Sequence, residues 1–189
     1  MKTIDMTNYD IIKTKATSSK GNQMKWLLNE YWYKQDHMGY EGLSEVVVSQ
    51  LLKKSNVTGF IEYEPIKIKY NLANKNGCLS HNFKSNEEII ITLERLYKQH
   101  KGKSLAYDYP LDVENTECIK HISSKPFSLD FDEQADAATN LYGDNVKFFF
   151  TTQDIENILK LLEEYYNSDI ITRVKTLLFN QKRKYNYMF

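Results

Sequence analysis

Strand-like apolar patterning dominates the chain before residue 85, and helical spacing dominates after it. Residues 24–34, MKWLLNEYWYK, hold two short apolar or aromatic runs around Asn29 and Glu30, which predicts a β-hairpin with Lys34 near the end of its second strand. In YEGLSEVVVSQLLKK, Leu43, Val46, Val47 and Leu51 recur at helical spacing, so a helix is expected from Glu41 to Lys54 despite the three valines. Phe60–Glu64 and Ile66–Tyr70 read as strands, with Pro65 as a bend or edge position between them. NLANKNG then supplies a turn, and GCLSHNF reads as a further strand.

Ser85 and Glu88 stand in capping-box register before Ile89, Ile90, Leu93, Leu96 and Tyr97, which predicts a helix ending near Gly102. Residues 103–145 show weak periodicity, with a helix expected over Glu133–Leu141. Beyond Thr152, the spacing of Ile155, Ile158, Leu159, Leu162, Tyr165 and Tyr166 marks an amphipathic helix. A second runs from Asp169 to Asn180 through Ile170, Ile171, Val174, Leu177 and Leu178. The pattern therefore predicts an α+β fold: a small antiparallel sheet with one packed helix over residues 1–84, then a mostly helical part over 85–189.

Composition narrows the function classes. The 25 basic and 25 acidic residues cancel, so no overall field draws the molecule to nucleic acid or an anionic membrane. With 41% hydrophobic residues and only 7 Gly and 3 Pro, the 189-residue chain has the makings of a core, in one domain or two small lobes. No apolar run approaches the roughly 20 residues needed to span a bilayer, and MKTIDMTNYD lacks the apolar stretch of a secretory signal, so a cytoplasmic protein is expected. Cys78 and Cys118 are distant from each other and from His37, His81, His100 and His121 at any metal-ligand spacing, which reads as two reduced thiols and no metal site.

Two clusters are candidates for chemistry. Ser18, Ser19, Lys20, Gly21, Asn22 and Gln23, followed by Met24 and Lys25, place small residues and donors before the hairpin. Gly21 permits a close backbone approach to phosphate oxygens, although a solvated turn has the same composition. In YWYKQDHMGYEGLSE, a strand-end Lys34 precedes a helix bearing Glu41 and Glu45 one turn apart. A carboxylate there would position a phosphate-binding ammonium; the plain alternative is an exposed lysine before a charged helix face.

The string K-W-L-L-x-x-Y-W-Y-K-x-D, then G-Y-E-G-L-S-E-V-V-V-S-x-L-L and F-I-E-Y-E, resembles the N-terminal lobe of HipA-like bacterial Ser/Thr protein kinases, notably the CtkA-like branch. GCLSHNF and EEIIITLERL resemble it too, and the likeness covers most of residues 15–100, resuming more weakly over 152–180. The resemblance implies a protein-kinase-like fold with ATP and Mg²⁺ between two lobes: residues 1–84 as the N-lobe and 85–189 as a partial helical C-lobe. By position, Ser18–Gln23 would cover the phosphates, Lys34 would contact them, Glu41 or Glu45 would orient Lys34, and Ser80, His81, Asn82 and Phe83 would form the hinge beside adenine.

The same resemblance expects a loop N-x-D-R-H-x-x-N after TRVKTLLFN. Here Asn180, Gln181, Lys182, Arg183, Lys184, Tyr185, Asn186 and Tyr187 follow, with Lys182 at the position of the catalytic Asp and Tyr187 at that of the metal-binding Asn. An ammonium neither accepts a substrate proton nor binds magnesium. The strand with the second magnesium-binding Asp does not follow before Phe189, an ending that truncation, a frameshift near residue 181 or a separate C-terminal half would each produce. The implied protein is a pseudokinase that binds ATP without transferring phosphate as this chain alone. The alternative is a non-catalytic subunit that binds a kinase half or a regulator, as in split HipA-type toxin–antitoxin systems. Leu177, Leu178 and Phe179 are expected at the surface of such a chain, open to self-association or a partner. The tail NQKRKYNYMF offers only three basic residues beside tyrosines, too few for a nucleic-acid arm.

Overall fold

A computed structural model describes residues 1–12, 23–85, 98–102, 146–184 and 186. The chain forms two compact units, Met1–Phe83 with Val146–Phe189, and Lys84–Asn145. The fold is α+β. In the first unit, strands β1 (Thr3–Asp5), β2 (Met24–Leu28), β3 (Tyr31–Gln35), β4 (Glu64–Tyr70) and β5 (Ala73–His81) make one five-stranded sheet in the order β1-β4-β5-β3-β2. Among the described residues three helices accompany it: α1 (Glu41–Leu52), α2 (Thr152–Leu162) and α3 (Ser168–Lys184).

The β2–β3 hairpin forms where the pattern placed it, because Asn29 and Glu30 both adopt positive φ (49° and 65°), the backbone a two-residue hairpin turn requires. Three expectations are corrected. The sheet is mixed rather than antiparallel, since β1 pairs parallel with β4 through Thr3↔Lys67, Ile4↔Ile68 and Asp5↔Lys69. Phe60–Glu64 is not a strand: pairing starts only at Glu64, and Pro65 lies inside β4 opposite Cys78. The NLANKNG turn reduces to Asn71 and Leu72, Asn71 taking a φ of 52°, and the strand begins already at Ala73.

Both faces of the sheet are covered. On one, Met6, Trp26, Ile66, Ile68 and Leu79 form a core, with the Trp26 and Tyr70 rings 5.3 Å apart. On the other, Leu43, Val46, Val47 and Leu51 of α1 pack with Cys78 and with Ile155, Ile158, Leu159 and Leu162 of α2, Tyr166 and Ile171. Each such aliphatic side chain contributes about 1.5–3 kcal/mol when fully buried.

Thr151 starts α2 with a reciprocal cap: its Oγ1 accepts from the Asp154 N–H at 3.1 Å, and its own N–H donates to Asp154 at 2.7 Å. The segment before it is tied to the end of α1 by a bridge between Ser55 and Phe148 and by Phe149 N–H donating to the Lys54 carbonyl at 2.6 Å. Leu178 and Phe179 pack against the core, contrary to the exposed position expected for them, while Leu177 stays outside. Helix α3 continues to Lys184, so residues 180–184, expected as the start of a catalytic loop, form its last turn.

Of the second unit, residues 98–101 are helical and Gly102, with φ of 73°, donates its N–H to the Lys98 carbonyl at 2.9 Å. That is a left-handed glycine stop where a helix end was expected. The remainder of that helix and the helix expected over Glu133–Leu141 lie outside the described residues. Among the described residues, no helix is long and apolar enough to cross a membrane.

Candidate functional site

Lys34 lies on the sheet face that α1 covers, directly across from Cys78. Its ammonium donates to Glu45 Oε1 at 2.7 Å and to the Tyr63 hydroxyl at 2.8 Å, and stands 4.5 Å from the Tyr63 ring centroid. The second oxygen of Glu45 is also engaged, accepting from the Cys78 thiol at 2.7 Å. One carboxylate of α1 thus bridges two cross-strand neighbours, and both of its oxygens are fixed.

The Lys34 side chain is 16% exposed. Burial pulls the pKa of its ammonium down, but the hydrogen bonds to Glu45 and Tyr63 and the Glu45 charge more than offset this and leave it above the ordinary lysine value. Burial first, and then the charge of Glu45, pushes the Cys78 thiol far up. It remains a neutral donor with none of the thiolate character a reactive cysteine requires.

The structure separates the two glutamates that the sequence left open. Glu45 meets Lys34. Glu41 instead turns back on its own loop, accepting from the backbone N–H groups of Met38, Gly39 and Tyr40 at 2.8, 3.0 and 3.2 Å. Tyr40, the N-cap residue, gives no side-chain cap, and the Glu41 carboxylate ties the loop that leads into the helix. Burial raises its pKa, but these N–H donors outweigh that and hold it below the ordinary glutamate value.

The four residues expected to form a hinge, Ser80, His81, Asn82 and Phe83, line a cleft of about 390 Å³ together with Tyr63 and with Gln50 and Lys53 of α1. Tyr63 therefore joins the two halves of the expected site, touching Lys34 with its hydroxyl and facing the cleft. Its backbone is fastened to α1, with Tyr63 N–H donating to Ser49 Oγ at 3.1 Å and Gln50 Nε2 donating to the Tyr63 carbonyl at 3.2 Å. The β2–β3 hairpin braces Asn82, whose N–H donates to the Glu30 carbonyl at 2.7 Å and whose Oδ1 accepts from Trp32 Nε1 at 3.0 Å. Ser80 is buried, with no hydrogen-bond partner for its Oγ among the described residues.

Ser18–Asn22 lie outside the described residues. Gln23 is described, and its amide nitrogen is buried without a hydrogen-bond partner among them. At the far end, Lys182, expected at the position of a catalytic aspartate, lies on α3 with its ammonium 5.3 Å from the Phe150 ring centroid. Sequence reasoning missed Tyr63, Asp36 and Tyr166. Tyr63 was hidden inside an apparent strand; Asp36 and Tyr166 are 130 positions apart, and no local pattern pairs them. Compared with protein families, characterised proteins and solved structures, the chain matches none.

Proposed function

We propose that this chain carries a nucleotide-binding lobe of the HipA-like protein kinase type and does not transfer phosphate as this chain alone. The observation that supports the reading most directly is the 2.7 Å pair between Lys34 on β3 and Glu45 on α1. A strand lysine held by a helix carboxylate is the arrangement that keeps a phosphate-binding ammonium charged and in place. Its setting agrees with the same reading: one helix inserted between β3 and β4, and a sheet in which β4, β5, β3 and β2 are neighbours in that order.

The cleft beside Ser80–Phe83 supplies aromatic surface from Tyr63 and Phe83 together with polar backbone, the combination that suits a purine base. The reading assigns phosphate contact to Lys34 and leaves Ser18–Gln23 as the expected phosphate cover. Mg²⁺ is assigned no protein ligands in this reading, because Lys182 and Tyr187 stand where the resemblance expects the Asp and Asn. Phosphoryl transfer is left out of the reading because the resemblance puts Lys182 where a catalytic Asp is expected, and a lysine there cannot act as the base.

The test is thermal unfolding with and without ATP and Mg²⁺, in the wild type and in Lys34→Ala. Ligand at a hundredfold excess over Kd stabilises the folded state by about 2.7 kcal/mol, enough to raise the midpoint by several degrees. A rise that vanishes in Lys34→Ala is the expected result. No rise in either protein overturns the nucleotide reading in favour of a non-catalytic subunit that binds a kinase half or a regulator.

A further inference from the structure

Asp36 follows Lys34 by two residues and is 2% exposed. Its Oδ1 accepts from the Gly42 N–H, in the first turn of α1, at 2.7 Å. Its Oδ2 accepts from the hydroxyl of Tyr166, in the turn between α2 and α3, at 3.0 Å. Gly42 and Glu45 are three residues apart and share one face of α1. Lys34, Asp36, Gly42 and Glu45 consequently form a closed ring, made of two backbone stretches and two charge-assisted hydrogen bonds, and Tyr166 grips that ring from outside.

We infer that Asp36 and Tyr166 are positioning residues, through which the α2–α3 turn holds α1 in the place where Glu45 engages Lys34. The ring has little slack. A Cβ on Gly42 would meet the Gly77 carbonyl carbon at 2.7 Å and Asp36 Oδ1 at 2.9 Å, so the start of α1 is pressed directly onto β5. The Asp36–Gly42 bond ends on the backbone of α1, so it ties the helix itself to the end of β3 beside the Lys34–Glu45 pair. With the Tyr166 hydroxyl gone, one oxygen of a buried carboxylate loses its donor, a state that favours release of the ring. Burial, and then the nearby Asp36 charge, pushes the Tyr166 hydroxyl far up in pKa, which keeps it the donor of the pair.

The functional consequence rests on the nucleotide-binding reading; the coupling between Tyr166 and Lys34 does not. The experiment reads the Lys34 ammonium directly, by ¹H–¹⁵N spectra of the lysine side chains in ¹⁵N-labelled full chain, with the Lys34 signal identified by its loss in Lys34→Ala. Tyr166→Phe keeps the ring in the core and removes only the hydroxyl. It is expected to speed hydrogen exchange at the Lys34 ammonium by about threefold or more. Tyr165→Phe, which removes the neighbouring hydroxyl that accepts from the Lys2 backbone N–H, is expected to leave it unchanged.

If Tyr166→Phe does not fold, Asp36→Asn takes its place. The substitution removes the carboxylate charge and leaves one acceptor oxygen, so the bonds to Gly42 and Tyr166 lose their charge assistance and the same acceleration is expected. An unchanged Lys34 signal in a folded Tyr166→Phe or Asp36→Asn protein overturns the inference, whatever happens to the melting temperature. ATP titrations then separate the two readings. Wild-type binding with Kd raised about threefold in Tyr166→Phe carries the coupling into function, whereas no wild-type binding overturns the nucleotide site and leaves the spectra to decide the coupling.

Discussion

Gly77 of β5 lies so close to β3 that a Cβ built on it would stand 2.1 Å from the carbonyl oxygen of Lys34. The obstacle is backbone, so no side-chain rotation relieves it. Gly77→Ala is therefore expected to lose about 3 kcal/mol of stability or to fail to fold, at the upper end of overpacking costs. Urea unfolding followed by the fluorescence of Trp26 and Trp32 measures it, and an unchanged midpoint would show that β3 and β5 are not packed this tightly.

The Lys34–Glu45 pair gives a pH dependence of defined sign. The folded-state pKa of Lys34 lies above its unfolded value, so the contribution is fully present below about 10.4 and is lost as pH rises through the folded value. The stability difference between wild type and Lys34→Met should be constant from pH 7 to 10 and should shrink above that. Chemical denaturation at intervals up to pH 11.5 checks it; a difference that grows with alkalinity would contradict the pairing.

Glu41 behaves in the opposite sense. Its folded pKa is lowered, so its contribution is present above the ordinary glutamate range and is lost as pH falls through the folded value. Glu41→Ala removes the acceptor of three N–H groups and is expected to cost about 1 kcal/mol at pH 7, comparable to loss of a helix cap, with the cost shrinking as pH falls below the ordinary glutamate range. Unfolding at pH 3, 5 and 7 reads both. Lys34 exchange should remain as in the wild type, because Glu45 and Tyr63, and not Glu41, hold the ammonium.

Thr151→Ala tests the start of α2. Both halves of the reciprocal cap depend on the Thr151 side chain or its placement, and about 1 kcal/mol is the expected loss. Thr151→Ser should retain most of it, since the hydroxyl is what Asp154 N–H needs.

Much of this architecture is legible because local chemistry and tertiary placement agree. Asn29 and Glu30 punctuate the hairpin, the valine-rich stretch Val46–Val48 has one side facing a core, and the apolar stripe of α2 is buried as its spacing requires. The Lys34–Glu45 pair was within reach for the same reason, since eleven residues bring a strand end beside the first turns of the next helix. Strand β1 was not, because three residues give no alternation to read and its partner β4 is some sixty residues away. Phe60–Tyr63 misled because β-forming side chains served another purpose: Tyr63 is fastened to α1 and reaches Lys34. Asp36 depends on a hydroxyl far along the chain, which only the assembled fold brings to it.

The composition of the first unit from two separated stretches, Met1–Phe83 and Val146–Phe189, sets the order in which it can be built. The apolar face of α1 is made early, but the residues of α2 that cover it follow about 100 residues later, so closing that contact carries the entropy of a long loop. At a synthesis rate of roughly 5–20 residues per second, about 5–20 s separate the synthesis of Leu43 from that of Ile155. The face of α1 that receives Ile155 and Leu159 is therefore the apolar surface that a growing chain has to keep from other chains until α2 is made.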